Sequence, residues 1–248
     1  MSDALNLIAD ARAAVLDGRF DVAADLAANV LESNPSSLAA LRILAWAQLE
    51  SGDERALATF QACTEIDPED ALAYVGQAIW YQQRDRHDAA IHAWVRAWEL
   101  DPHNQTIRRA LVNLTGELPE SLLADGIGLL RAGRPDDAAD VLRHAMAERH
   151  DSAALACLDA LWLCGEWRQA FELAQATLAA QPRSVKAALY VAALEDRTGR
   201  TLHSRELLAR AEQADPCLVL FADVVRRVGL QPALDLHRAS RASLLTAR

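Results

Sequence analysis

The sequence predicts an all-α fold in which repeated helix hairpins stack into a solenoid, and three observations carry that expectation. The 248 residues are 52% hydrophobic, yet rich in Ala, Leu and Arg and poor in the β-branched and aromatic runs that mark strands. Pro35, Pro68 and Pro102 lie 33 and 34 residues apart, each closing a stretch of helical periodicity. Between successive prolines, small residues recur in matched pairs (Ala11 with Ala23, Ala45 with Ala56, Ala78 with Ala90), as they must where two helices cross closely.

The clearest unit is residues 71–104, ALAYVGQAIWYQQRDRHDAAIHAWVRAWELDPHN. Its first amphipathic helix carries Tyr74, Gln77, Ala78 and Tyr81 at positions 4, 7, 8 and 11, and its second carries Ala90, Trp94, Ala97 and Pro102 at positions 20, 24, 27 and 32. Ala78 and Ala90 place only a methyl group at the crossing, which allows an interaxial distance near the low end of about 8–10 Å. Trp94 and Trp98 are four apart, so they share a face directed to the core. Asp101-Pro102 ends the second helix, because proline biases the residue before it away from α. These residues resemble the tetratricopeptide pattern, W-x2-L-G-x2-Y followed by A-x3-F and P, with Gln77 standing where the pattern has Leu.

The same frame continues along the chain. Residues 4–37 use Ala11, Gly18, Ala23 and Pro35, with Asp10 in place of the pattern's Leu. Residues 38–70 use Leu41, Leu44, Ala45, Gly52, Ala56, Phe60 and Pro68, one residue short in the turn between Gly52 and Ala56. Pro102 and Pro182 are then 80 residues apart, twelve more than two periods, which fits a lone helix over 105–115 closed by Gly116 and Pro119. Three further copies follow at 119–150, 151–183 and 185–218, with Gly133, Gly165 and Gly199 in their turns. Asp85 fills that turn position in the third copy, a less favourable choice for a left-handed residue. Helices are expected over 217–228 and 232–247 to cap the end. The chain thus divides into repeats 1–3 plus the extra helix (1–117), repeats 4–6 (118–218) and capping helices (219–248).

Resemblance to the tetratricopeptide family implies a right-handed superhelix whose concave wall holds a peptide or partner helix. In that family, first-helix positions 2, 5, 9 and 12 line the wall. Mapped here, they place Ile8, Arg12, Arg42, Trp46, Val75, Ile79 and Gln82 in the first half, and Leu123, Ile127, Trp162 and Lys186 in the second. Arg12, Arg42 and Trp46 together suit a segment carrying acidic and apolar side chains, since Arg forks onto carboxylates and Trp buries a large rigid area. The family's two-carboxylate clamp needs Lys and Asn on neighbouring first helices, and Ile8, Arg12 and Ile43 stand there instead.

Charge and motif content narrow the function. A net charge of −10 with no basic stripe disfavours nucleic acid. No apolar run reaches the ~18 residues of a membrane span, and the N-terminus has no basic signal-peptide region. Cys63, Cys157, Cys164 and Cys217 lack CxxC spacing and read as reduced thiols of a cytoplasmic protein. One lysine against 24 arginines suggests a GC-rich bacterial genome. None of the seven histidines forms an HExxH or an i, i+4 pair, so neither a metal nor any other cofactor is expected. The expected function is a non-enzymatic interaction scaffold. The alternatives are a chaperone for a secreted or membrane-inserting client and the regulatory arm of a larger catalytic protein.

Overall fold

Where each hairpin must reverse, one residue enters the left-handed region and the chain folds back on its own helix end. Gly18, Gly52, Gly133, Gly165 and Gly199 take φ of 71–81°, and Asp85 takes 53° at the sixth such turn. After each, the next amide N–H donates to the carbonyl five residues earlier: Arg19 to Ala14, Asp53 to Gln48, Arg86 to Tyr81, Arg134 to Leu129, Glu166 to Leu161 and Arg200 to Glu195, all at 2.8–3.0 Å. This is the Schellman closure of a helix C-terminus, made six times.

The computed structural model describes residues 2–148, 151–235 and 238–239. Its hairpins pair α1 (Ser2–Leu16) with α2 (Phe20–Ser33), α3 (Leu38–Glu50) with α4 (Ala56–Ile66), and α5 (Ala71–Gln82) with α6 (His87–Leu100). After α7 (Gln105–Thr115) come α8 (Leu122–Arg131) with α9 (Pro135–Ala147), α10 (Ala154–Cys164) with α11 (Trp167–Ala180), and α12 (Val185–Arg197) with α13 (Thr201–Ala214). The last defined helix is α14 (Ala222–Val228). Among the described residues there is no strand. The fold is an all-α solenoid of tetratricopeptide-type hairpins.

Close helix crossings explain the small residues. A Cβ added to Gly76 would lie 2.1 Å from the Phe60 ring, and one added to Gly126 would lie 2.5 Å from the Leu142 side chain. Trp94 and Trp98 are buried, and the Trp94 Nε1–H donates to Gln82 Oε1 at 2.9 Å. The extra helix α7 has the expected bounds. Asn104 Oδ1 accepts from the Thr106 and Ile107 amides at its start, and Gly116 (φ 86°) ends it. Both α7 and α8 pack on α6, so α7 branches off the stack without stopping it.

The C-terminal end differs from expectation. A single helix over 217–228 does not form. Pro216–Leu218 makes one 3-10 turn, Leu218 takes φ of 53°, and the α-helix begins only at Ala222. Asp215 Oδ2, accepting from the Leu220 amide at 2.6 Å, holds that bend. Helix resumes at 231–235, one residue before the expected Pro232, and Leu234 is buried; residues 236–237 and 240–248 of the expected last helix lie outside the described residues.

The fifth and sixth repeats also return to the first and second. One hydrophobic cluster runs from Leu38, Leu41 and Phe60 through Leu158 and Tyr190 to Val228 and Leu234, crossing the 117/118 boundary. Polar contacts bridge the same gap: Asn34 Nδ2 donates to the Gln213 carbonyl at 2.6 Å, and Arg183 Nη1 meets Glu65 at 2.5 Å. Packed on α11, α13 and α14, α12 is buried at every residue from 185 to 195.

Candidate functional site

A lone lysine in an apolar helix must find carboxylates, because an unpaired buried ammonium is too costly to keep. Lys186 on α12 is 5% exposed, and its Nζ donates to Glu69 at 2.5 Å and to Asp159 at 2.9 Å. Asp159 sits on α10, where every neighbour in ALACLDALWLC is uncharged. Its carboxylate also meets Arg227 Nη1 of α14 at 2.5 Å and accepts from the Tyr190 hydroxyl. Burial opposes the charge on Asp159, but Lys186 and Arg227 outweigh it and hold the group below the usual carboxylate range. For Lys186, burial acts to lower the pKa, and Asp159 and Glu69 overcome it to raise the pKa instead. Tyr190 is pushed well above its ordinary value, by burial first and then by Asp159.

Glu69, Asp159 and Arg227 of this network line a cleft of about 380 Å³. The apolar part of its wall is Leu100, Ile127, Leu130, Ala156 and Leu163. Arg131 and Arg227 contribute cationic groups and Glu69 and Asp159 anionic ones, with Arg131 also paired to Asp101 at 2.9 Å. Residues from the second, third, fourth and fifth repeats and from α14 therefore converge on one space.

The residues expected at the wall fall into three groups. Ile8 and Leu123 are buried in the core; Trp162 is buried too, edge-on to Trp167 and Tyr190, with its Nε1–H donating to the Arg227 carbonyl at 3.1 Å. Arg42, Trp46, Gln82 and Lys186 are engaged within the chain. Arg42 Nε meets Asp70 at 2.6 Å and its Nη2 meets Asp67 at 3.2 Å, while Trp46 packs edge-on to Phe60 at 5.3 Å. Val75, Ile79 and Ile127 stay half-buried, and Arg12 is exposed. Only Ile127 of the set lines the cleft.

Sequence reading missed Glu69, Asp159, Tyr190 and Arg227. A signal for Asp159 was present: it occupies first-helix position 9 of its repeat, the position of Arg12, Trp46, Ile79 and Ile127 in theirs. Beside Arg42, burial, then Asp70 and Glu69, pushes Asp67 up to about 7.

No protein-family model matches the chain, and no curated protein matches it. Solved structures of tetratricopeptide repeat proteins are similar in outline. The P58(IPK) TPR domain aligns over 96% of this chain and 67% of its own, at 15% identity and a TM-score of 0.41. The TPR2AB domain of yeast Sti1, solved in complex with pHSP90, aligns over 96% and 99% at 15% identity and 0.42. YrrB, described as a TPR protein with an unusual peptide-binding site, aligns over 81% and 98% at 20% identity and 0.35. Likeness at this level carries no functional weight, so function rests on this chain's own residues.

Proposed function

We propose that the chain is a non-enzymatic interaction scaffold that takes a segment of a protein partner at the cleft around Ile127. The supporting observation is the composition of that cleft. An apolar wall of Leu100, Ile127, Leu130 and Leu163 stands beside paired charges that are already anchored, so a partner side chain meets a preorganised surface. Such a surface suits a helical or extended segment with an apolar anchor flanked by a polar group. The acidic-apolar segment expected at Arg12, Arg42 and Trp46 has less support, because Asp67 and Asp70 neutralise Arg42 and Trp46 packs on Phe60.

The non-enzymatic reading is consistent with the thiols. Burial raises Cys63 to about 12 and both Cys157 and Cys164 to about 11, so all three remain protonated at neutral pH and are poor nucleophiles. Photo-reactive residues installed at Ile127, at Arg12 and at the exposed Arg168 of α11 test the location. Covalent capture of the partner from position 127 and none from 168 is the expected pattern. Capture from 168 alone would overturn the cleft. With the partner in hand, Ile127→Ala should weaken binding by about tenfold, and the buried Ile8→Ala, which lines no part of the cleft, should lower the melting temperature without that loss.

A further inference from the structure

Where the stack continues, each first helix is seated on the second helix before it: α3 on α2, α5 on α4, α10 on α9 and α12 on α11. After α13 that seat goes to the 3-10 turn at Pro216–Leu218, and α14 packs on α12 instead. The chain turns there through the left-handed Leu218, with Asp215 Oδ2 accepting from the Leu220 amide. α14 thus lies across the first helices of the fifth and sixth repeats. Val224, Val225 and Val228 are buried in the main hydrophobic cluster. Two polar contacts to α10 complete the seat. The Arg227 carbonyl lies in the last turn of α14, where helix carbonyls lack intrahelical partners, and it accepts the Trp162 Nε1–H at 3.1 Å. The Arg227 guanidinium meets Asp159 at 2.5 Å. Without it, Lys186 alone would face two carboxylates, Glu69 at 2.5 Å and Asp159 at 2.9 Å. Arg131, the other cation lining the cleft, is paired with Asp101. The seat under α14 therefore holds one negative charge in excess and calls for a cation.

We infer that α14 is an internal ligand of this seat, and that the partner segment which displaces it carries the same pattern. That pattern is an arginine with apolar residues three before and one after it, as in Val224, Arg227 and Val228. The inference rests on the proposed use of the cleft by a partner segment, and it supplies that segment's chemistry: basic and apolar. A carboxylate and an indole N–H read a side-chain cation and a main-chain carbonyl, both of which the end of any arginine-bearing helix presents. The seat also outlasts its occupant, because Asp159 keeps Lys186 and the Tyr190 hydroxyl when Arg227 leaves. Being part of the same chain, α14 competes at a high effective concentration, so an incoming segment must overcome it. The net charge of −10 favours a basic segment on approach.

The probe is a fluorescein-labelled peptide of residues 219–235, titrated by anisotropy with the full chain over about 0.1–500 μM. The Arg227→Ala chain, its seat vacated, should bind the peptide about tenfold or more tighter than the parent chain does. Arg226→Ala, at an exposed neighbour, should behave as the parent. The same peptide carrying Arg227→Ala should bind neither chain. Hydrogen exchange should quicken at amides 222–228 of the Arg227→Ala chain while 185–195 stay protected. If that variant loses its helical signal, Val224→Ala, which loosens α14 without touching Asp159, carries the same expectation. Equal affinity for the parent and the loosened chain overturns the proposal, and so does equal binding by the two peptides. Photo-capture from position 127 separates the two readings. Capture of the partner that Arg227→Ala leaves unchanged keeps the cleft and overturns the internal ligand. Peptide exchange without any capture from 127 supports the release of α14 and overturns the cleft as the partner's site.

Discussion

α1 and α12 hold the same place in their repeats, yet one is half in solvent and the other is buried at each residue from 185 to 195. Both follow the same hairpin geometry, with a left-handed glycine after the helix and the same backbone closure. Their difference is one of neighbours. α1 packs on α2 and α3, while α12 packs on α11, α13 and α14, and its Lys186 reaches Glu69 across the closing gap. Position in the array, more than local sequence, decides how much a charged wall residue matters. Arg12 at the open end makes no ion pair among the described residues, whereas Lys186 holds two carboxylates at the closed end.

The sharpest way to break that comparison is to remove the closed end. We propose that residues 1–117 form a folding unit, and the isolated fragment should show cooperative helical melting. Its melting temperature should fall by several degrees or more, since Glu65, Glu69 and Asn34 lose their partners. A fragment without helical signal would end the proposed division. A fragment as stable as the whole would mean that closure contributes nothing to the first half.

Next in size is Lys186→Met. It takes the ammonium from Glu69 and leaves Asp159 to Arg227 and Tyr190 alone, and should cost about 3 kcal/mol in urea unfolding. Arg12→Met at the open end should stay within about 0.5 kcal/mol. Comparable losses at the two sites would erase the distinction between the ends.

A pH series tests the second charged cluster. Asp67 has its folded pKa raised to about 7, above its ordinary value of 3.8. The folded state therefore binds this proton more tightly than the unfolded one, and the group's contribution to stability declines as pH rises from about 4 to about 7. Asp67→Asn keeps an acceptor for Arg42 and removes that dependence. The variant should gain on the parent chain across this window and hold a constant advantage above it, on the order of 1–2 kcal/mol. An advantage that shrinks with rising pH would contradict the assignment.

The smallest expected effect lies in the turns. Asp85 is the one non-glycine residue at the six hairpin reversals, with φ of 53°. Asp85→Gly relieves the left-handed strain but loosens the unfolded chain, for a net gain of about 0.5–1 kcal/mol. A loss would show that the Asp85 side chain compensates for its backbone.

Much of the architecture could be read from the sequence because it depends on contacts within one repeat. The 34-residue spacing, the Ala78–Ala90 crossing, the left-handed Asp85 and the bounds of α7 all follow from helix periodicity and end signals over a few turns. The same local reading failed at 217–228, where the Asp215 carboxylate bends the chain at Leu218 before α14 begins. It also placed Arg42 and Lys186 on an open wall, where the structure pairs them with Asp67 and Asp70 and with Glu69 and Asp159. Their partners were in view only as isolated clues: one carboxylate in the apolar α10, one lysine in the apolar α12.

By itself, then, the sequence determined the class of fold, the number of hairpins and the position of their turns, since each is settled by interactions between residues fewer than about 35 apart. Tertiary structure alone decided which wall residues remain available. Lys186 and Glu69 are 117 residues apart along the chain, and their meeting depends on the summed rotation of every intervening hairpin. A small change in each stacking angle would add up across the array and part them, and no single repeat encodes that total.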